Sequence, residues 1–411
     1  MQLKKASIFA LASPAAAQNQ TNFVDALQSR NETLSSFNAV LLQYPEFVQS
    51  LSNEQNITIL APNNDAFERL RGRNNSNTDS ALSSPGYLEA LLRYHVLNGT
   101  HYASDITNTP QFIPTKLTNE SYTNVTNGQR VEAVLNGNNA TFIGGLKHSA
   151  TVENPNLNFT GGTIHIINEC MTVPGNVTET LPAANLTAAA GAIRAANMSQ
   201  EVTDARDVTI FAPSNEAFDA IGSLIEAIAN GTDTNSTQRL RRVVGYHVVP
   251  GTIAFTSDLG NTTLRTLDGT DLPVQVVDGR IYVGSARITV PDVLVSNGVV
   301  HGIDKVLNPD DPSGAPDLSP SPTTTSPAFS GASGGIGGIP FTIGVSTATE
   351  TITATPPGAS GTGAGDGDGN GNGNGNGGQT TSPARGIAVP AATGAVGFAA
   401  LFGGAAVIAN L

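Results

Sequence analysis

The stretch Thr58–Leu70 reads TILAPNNDAFERL, and a second stretch, Thr209–Ile221, reads TIFAPSNEAFDAI. Seven of the thirteen aligned positions are identical, with Pro62 answering Pro213 and Phe67 answering Phe218. A spacing of about 150 residues is far longer than the unit of a stacked solenoid, so the chain carries a duplicated domain. In each copy Thr-Ile-x-Ala is a short β-branched, apolar run of the kind that fills a buried strand. The proline has no N–H to donate and stops the ladder. Asn63 or Ser214 then caps a helix, and Asp65 or Glu216 places an acid in its first turn, near the positive end of the helix dipole. The phenylalanine is driven back beneath the strand, which makes the whole stretch a strand-to-helix corner built for packing.

At 411 residues the chain has room for two or three domains. Its net charge of −13, with no cluster of Lys and Arg, argues against nucleic acid and against anionic membrane surfaces. Cys170 is the sole cysteine, so no intrachain disulfide can form and the core must hold itself together. Two readings stand for that thiol, a buried inert side chain or an intermolecular disulfide.

Residues 1–17 combine a basic pair (Lys4, Lys5), a short apolar region and small residues at Ala15–Ala17, the pattern of a signal peptide cleaved near Ala17. Fifteen N-x-[ST] sequons follow before residue 264, and none after it. The N-glycosylation candidates are Asn31, Asn98, Asn119, Asn124, Asn139, Asn158, Asn176, Asn185, Asn230, Asn235 and Asn261, which should stand on exposed loops and turns. Phe23–Tyr44 has helical spacing, and a helix through Leu88 and Leu91 ends in Tyr94-His95-Val96. The second copy repeats that ending as Tyr246-His247-Val248. Strand-like runs come next: 112–117, 131–135, 140–143 and 163–167 in the first half, then 271–277, 280–283, 287–290 and 299–303 in the second. Helices first and strands later is an α+β order. Each half closes on a related strand, GGTIHIINECMTVP (161–174) and NGVVHGIDKVLNP (297–309).

A TxFAPxxxAF corner, a YHV segment and a closing NGxxHxIDxVLxP strand, in that order and twice over, resemble the fasciclin (FAS1) domain family. The resemblance covers two tandem domains, 20–174 and 178–309. It implies a compact α+β domain, a β-sandwich-like wedge with packed helices, acting in adhesion or wall association without catalysis. The family's proposed receptor contacts fall on an acidic-aliphatic pair before the closing turn and on the Tyr-His segment. By resemblance, Asp292, Val293, Tyr246 and His247 are therefore the candidate adhesion contacts, with Asp292 also readable as a turn residue. In the first domain Asn154-Pro155-Asn156-Leu157 offers no acid, and Asn168 stands where the second has Asp304.

Residues 310–386 are rich in Pro, Ser and Thr and then in Gly, and read as a disordered stalk in which only Phe341–Val345 keeps an apolar pattern. Residues 387–411 are small and apolar with no basic flank, which fits a GPI-attachment signal with Asn376 as the attachment candidate and Gly377, Gly378 and Ser382 as alternatives. The expected location is the outer face of the plasma membrane or the cell wall. A retained span would instead give a vacuolar or secretory-pathway membrane protein assisting membrane traffic or fusion.

Four of the six histidines (His95, His165, His247 and His301) lie in the repeated motifs. They are open to a structural reading or to pairing as metal ligands or acid–base groups, but no Cys, His or Asp cluster at ligand spacing accompanies them. No catalytic residue, cofactor or metal site is assigned. The partners expected are a surface receptor, a wall polysaccharide or a second copy, with the membrane engaged through the lipid anchor.

Overall fold

The computed structural model describes residues 21–72, 84–229, 235–312, 329–334, 338–346, 348 and 351–352. The leader, Asn230, Asn376 and the apolar tail lie outside the described residues.

Both halves follow one plan. The first opens with α1 (Phe23–Gln28), α2 (Asn31–Leu41) and α3 (Pro45–Asn53). The helical stretch read as 23–44 is thus broken at Ser29-Arg30, and Pro45 starts a new helix at a position where its missing N–H costs nothing. The corner follows as β1 (Ile57–Pro62) and α4 (Asn64–Gly72), then α5 (Pro85–Tyr94). The remaining strands are β2 (Val96–Asn98), β3 (Gln111–Pro114), β4 (Arg130–Asn136), β5 (Asn139–Ile143), β6 (Ser149–Phe159) and β7 (Gly162–Ile167).

The second half has α6 (Val177–Ala183), α7 (Thr187–Ala195), α8 (Ser199–Asp204), β8 (Val208–Pro213), α9 (Asn215–Asp219), α10 (Gly222–Ala229) and α11 (Ser236–Tyr246). Its later strands are β9 (Val248–Val249), β10 (Thr262–Arg265), β11 (Asp271–Val277), β12 (Arg280–Val283), β13 (Ala286–Val295) and β14 (Gly298–Ile303).

Each half forms a seven-stranded sheet, ordered β2-β1-β7-β6-β5-β4-β3 and β10-β11-β12-β13-β14-β8-β9. Its centre is the parallel pairing of the corner strand with the closing strand, β1 with β7 and β8 with β14. Both corner strands are buried along their whole length. Alternation then assigns the two faces. Ile57, Ile59, Ala61, Ile164 and Ile166 pack with the helices, while Leu60 and Ile167 face the wedge with Tyr94, Val131 and Phe142. Where the closing strand begins, the backbones approach so closely that a Cβ on Gly162 would lie 1.9 Å from the Ile57 carbonyl oxygen. A Cβ on Gly298 would lie 1.9 Å from that of Val208. Both copies therefore require glycine at this crossing.

The long strand β6 was not visible in the sequence. Its middle, Glu153-Asn154-Pro155-Asn156, interrupts the alternation that marks a strand, and the structure accommodates Pro155 at register shifts between Val152 and Leu157. β13 carries the matching irregularity between Ile288 and Val293.

The two domains meet through an extensive interface. Gln129 donates to the Val295 carbonyl at 3.0 Å, and Thr123 donates to that of Ser296 at 3.0 Å. The Ser296 N–H in turn reaches the Gly175 carbonyl at 2.7 Å. Phe112 stacks on Phe255, with ring centroids 3.7 Å apart and planes within 2°. A 3₁₀ turn, Gly145–Lys147, packs on β13, and its Lys147 pairs with buried Glu132 at 2.8 Å.

Part of the region read as stalk is seated on the body. Phe329, Ala332, Phe341, Val345 and Ile352 pack against the helical core of the second domain. The one apolar stretch in that region is the one that docks.

Candidate functional site

The repeated histidines occupy equivalent places and do equivalent work. His95 and His247 follow the last residue of α5 and α11. The Nδ1 of each lies 2.7 Å from the carbonyl four residues back, Leu91 and Val243. A carbonyl can only accept, so Nδ1 carries the proton. The Nε2 atoms then accept backbone N–H groups from the segments after the closing strands, Met171 and Leu307, both at 2.9 Å. His165 and His301 sit at matching positions in β7 and β14 with the opposite tautomer. Nδ1 accepts the N–H of Asn156 at 3.2 Å or of Asp292 at 3.1 Å, and Nε2–H donates to the carbonyl of His101 or Ala254 at 2.8 Å.

All four rings are buried, and each bridges two segments of backbone. Burial holds His95 and His247 neutral, with pKa values lowered to about 4, the bond to the i−4 carbonyl pulling weakly the other way. Burial also lowers His165 and His301. At His301 the Asp292 carboxylate, 3.9 Å from Nδ1, works against that lowering, but a ring that accepts an N–H on Nδ1 must be neutral. No described group of three or more His, Cys, Asp or Glu side chains is arranged to hold a metal ion.

The candidate adhesion contacts lie inside. Asp292 is 3% exposed and Val293, Tyr246 and His247 are likewise buried, so none of the four presents a surface to a partner in this arrangement. Asp292 has a left-handed backbone (φ 54°) at the β13 bulge, a conformation aspartate tolerates better than most residues. Its carboxylate accepts the Thr256 N–H at 2.9 Å and the Thr256 hydroxyl, tying down the loop after Phe255. The Tyr246 hydroxyl reaches the Asp271 carbonyl at 3.4 Å, as that of Tyr94 reaches Arg130 at 2.9 Å.

The first domain has the same device built from an amide. Asn156 is left-handed (φ 62°), gives its N–H to His165 and accepts the Ala103 N–H at 3.0 Å. Asn168 and Asp304 are equivalent too, accepting the N–H of Thr151 at 2.8 Å and of Arg287 at 2.7 Å. At both positions the first domain's amide supplies the N–H acceptor, while Asp292 also takes the Thr256 hydroxyl and Asp304 also pairs with Arg287 at 3.6 Å.

Two further repeated groups went unread in the sequence, although their identity in both copies marked them. Thr58 and Thr209 lie buried in the corner strands. Their hydroxyls donate to Gly99 at 2.8 Å and Thr252 at 2.7 Å, and accept the N–H of His101 and Ala254, both at 2.8 Å. Asn64 and Asn215 accept the N–H of Ser36 at 2.9 Å and of Ala188 at 3.0 Å, joining the corner to the preceding helix. The expected caps are in place, with Asn63 accepting from Ala66 at 2.7 Å and Ser214 from Ala217 at 3.1 Å.

Of the described sequon asparagines, Asn31, Asn56, Asn119, Asn139, Asn158, Asn185, Asn197, Asn235 and Asn261 are exposed. Asn98, Asn124 and Asn176 are half-buried and engaged. Asn124 belongs to the domain interface, where its side-chain amide donates to the Asp204 carbonyl at 2.8 Å. Asn98 donates to Thr115 at 3.2 Å, and Asn176 caps α6 by accepting from Glu179 at 2.9 Å. Cys170 is buried in the core of the first domain.

Comparison with known proteins gives a consistent picture. The fasciclin domain family matches at residues 32–174 and again at 184–309. A fasciclin-like arabinogalactan protein of Arthroderma benhamiae is 36% identical over 299 residues, covering 73% of this chain and 69% of that protein. Another of the same description, from Phaeosphaeria nodorum, is 29% identical over 287 residues, 68% of this chain and 86% of that one. A solved FAS1 domain pair from the insect cell adhesion molecule fasciclin I overlays with a TM-score of 0.33 at 18% identity, covering 69% of this chain and 99% of that structure.

Two outcomes follow from the site. His95 and His247 titrate near 6.5 when unfolded and near 4 when folded, so between those values the unfolded state binds more protons. The stability they confer is complete above pH 6.5 and falls as the pH drops toward 4, by about 3 kcal/mol for each ring at the lower end. Urea midpoints measured across that range should decline accordingly. At the bulge, Asp292→Ala should cost about 1–3 kcal/mol through the stranded Thr256 donors, whereas Asp292→Asn should stay near wild type because Asn156 already does this work in the first domain. Urea unfolding of both variants checks the pair, and an unchanged midpoint for Asp292→Ala would return that residue to the surface role read from the sequence.

Proposed function

The chain belongs to the fasciclin domain family, and from that premise we propose that it is a non-enzymatic surface or extracellular protein of the adhesion type, held at the outer face of the plasma membrane or cell wall by a GPI anchor. The observation that carries this reading is the commitment of the histidines. The side chains best suited to acid–base or metal chemistry are neutral, buried and engaged with backbone at both ring nitrogens, in both domains. A fold that uses its imidazoles as cross-links offers a partner its outer surface, in a chain of net charge −13 with nine exposed sequon asparagines among the described residues. Wall polysaccharide, a surface receptor or a second copy of the chain are the partner classes suited to it. The interface supports treating the two domains as one binding body.

Anchoring and adhesion can be read together on intact cells. Treatment with a phosphatidylinositol-specific phospholipase should release the protein into the medium and lower attachment of the treated cells to their substratum. Retention of the protein in a compartment protected from external protease would overturn the surface reading and favour an internal membrane role.

A further inference from the structure

Helix α7 is an alanine run broken by a glycine, Ala188-Ala189-Ala190-Gly191-Ala192. Mid-helix glycine is unfavourable relative to alanine, so its presence calls for a local need. The backbone of Phe341 supplies that need. A Cβ on Gly191 would lie 1.8 Å from the Phe341 carbonyl oxygen.

Around this crossing the later segment is held at four places. Ser333 exchanges hydrogen bonds with Ser223 at the start of α10, at 3.0 and 2.9 Å. The Phe341 ring meets Phe218, the corner aromatic of the second domain, edge to face with centroids 6.0 Å apart. The Arg194 guanidinium donates to the carbonyls of Ile343, at 2.6 Å, and Gly344. The Ile352 N–H donates to the Ala183 carbonyl at the end of α6, at 2.7 Å. Every described residue of 329–352 is uncharged, and Phe329, Phe341, Val345 and Ile352 turn toward the helical core while Ile339 and Ile343 stay exposed.

Among the described residues, no segment meets the equivalent helix of the first domain by a matching set of contacts, and that helix differs at the key positions. Ser36 and Ala188 give their N–H groups to the equivalent corner asparagines, which places Ala39 where Gly191 stands and Leu42 where Arg194 stands. There the glycine and the guanidinium are both missing, and Leu42 is 82% exposed. Close backbone approach, a fork of donors for free carbonyls and an aromatic partner are concentrated on the second domain alone.

We propose that the face formed by α6, α7 and α10 is an interaction surface for a turn-rich, apolar peptide segment, and that the described residues of 329–352 are its resident occupant, seated in cis. The folded body thereby extends to Ile352, and the chain leaves it beside α6 rather than at the end of the second domain. A competing peptide of the same chemistry could take this surface only by displacing the resident segment. The surface exists whichever way the chain is anchored.

Hydrogen exchange on the dilute full-length chain tests this directly. In the wild type the amides of 341–352 should exchange at least tenfold more slowly than unstructured chain. Gly191→Ala puts the better helix former into α7 yet blocks the crossing, so it should abolish protection of 341–352 while α7 keeps its own. Phe341→Asp should release the segment from the other side without touching the core of either domain. A labelled peptide spanning 338–352 should then bind the Phe341→Asp chain and not the wild type. Unprotected amides in the wild type, undiminished protection in Gly191→Ala, or equal peptide binding by both chains would each overturn the proposal. Protection that appears only as protein concentration rises would overturn seating in cis and assign the segment to a second copy.

Discussion

The constraint on which this fold depends is that four imidazoles must be neutral. Each accepts a backbone N–H on one nitrogen and donates to a carbonyl from the other, and a protonated ring can only donate. His95 and His247 bind helix ends to the segments that follow the closing strands. His165 and His301 bind the closing strands to a bulge on one side and to the loop after β2 or β9 on the other. The helices, corner and closing strand of each half are distant in sequence, and these rings are where they are joined without a disulfide. Loss of stability in acid is the outcome expected of this arrangement, in which both nitrogens of each of the four repeated rings are engaged with backbone.

A second consequence concerns what the molecule can present. The motif residues singled out in the sequence turn inward to support the bulge and the corner, and so leave the outer surface to other side chains. Domain pairing narrows that surface further. The loop carrying Thr123, Asn124 and Gln129 lies against the β13–β14 turn, and Phe112 covers Phe255 next to the residue that Asp292 holds. Asp292 is consequently buried, whereas Asn156, which does the same work in the first domain, is exposed. The backbone device is duplicated, with an amide accepting one bond in the first domain and a carboxylate accepting two in the second.

Much of this was legible in the chain. The corner strand, its caps and the phenylalanine beneath it follow from proline, Asn or Ser and apolar placement in thirteen residues read twice. β11 and β12 begin and end where alternation and the Asp-Gly turns put them. The burial of Asp292 was not legible because pattern reports residue type and order, not which side chains a second domain will cover. β6 was missed because Pro155 sits where a strand should alternate, and only the β7 partner shows that the interruption is a bulge. The seated segment was missed for a related reason. Beyond the short alternation of Phe341–Val345 the seated residues have no period, and the cue that they have a binding face lies some 150 residues earlier, in a glycine inside an alanine helix.

The most direct measurement is long-range proton–nitrogen NMR of the imidazoles in the folded, isotope-labelled protein near pH 6. Neutral rings are expected throughout, protonated on Nδ1 at His95 and His247 and on Nε2 at His165 and His301. An imidazolium signal from any of the four at that pH, or the reverse pair of tautomers, would contradict the account and reopen these histidines to chemistry.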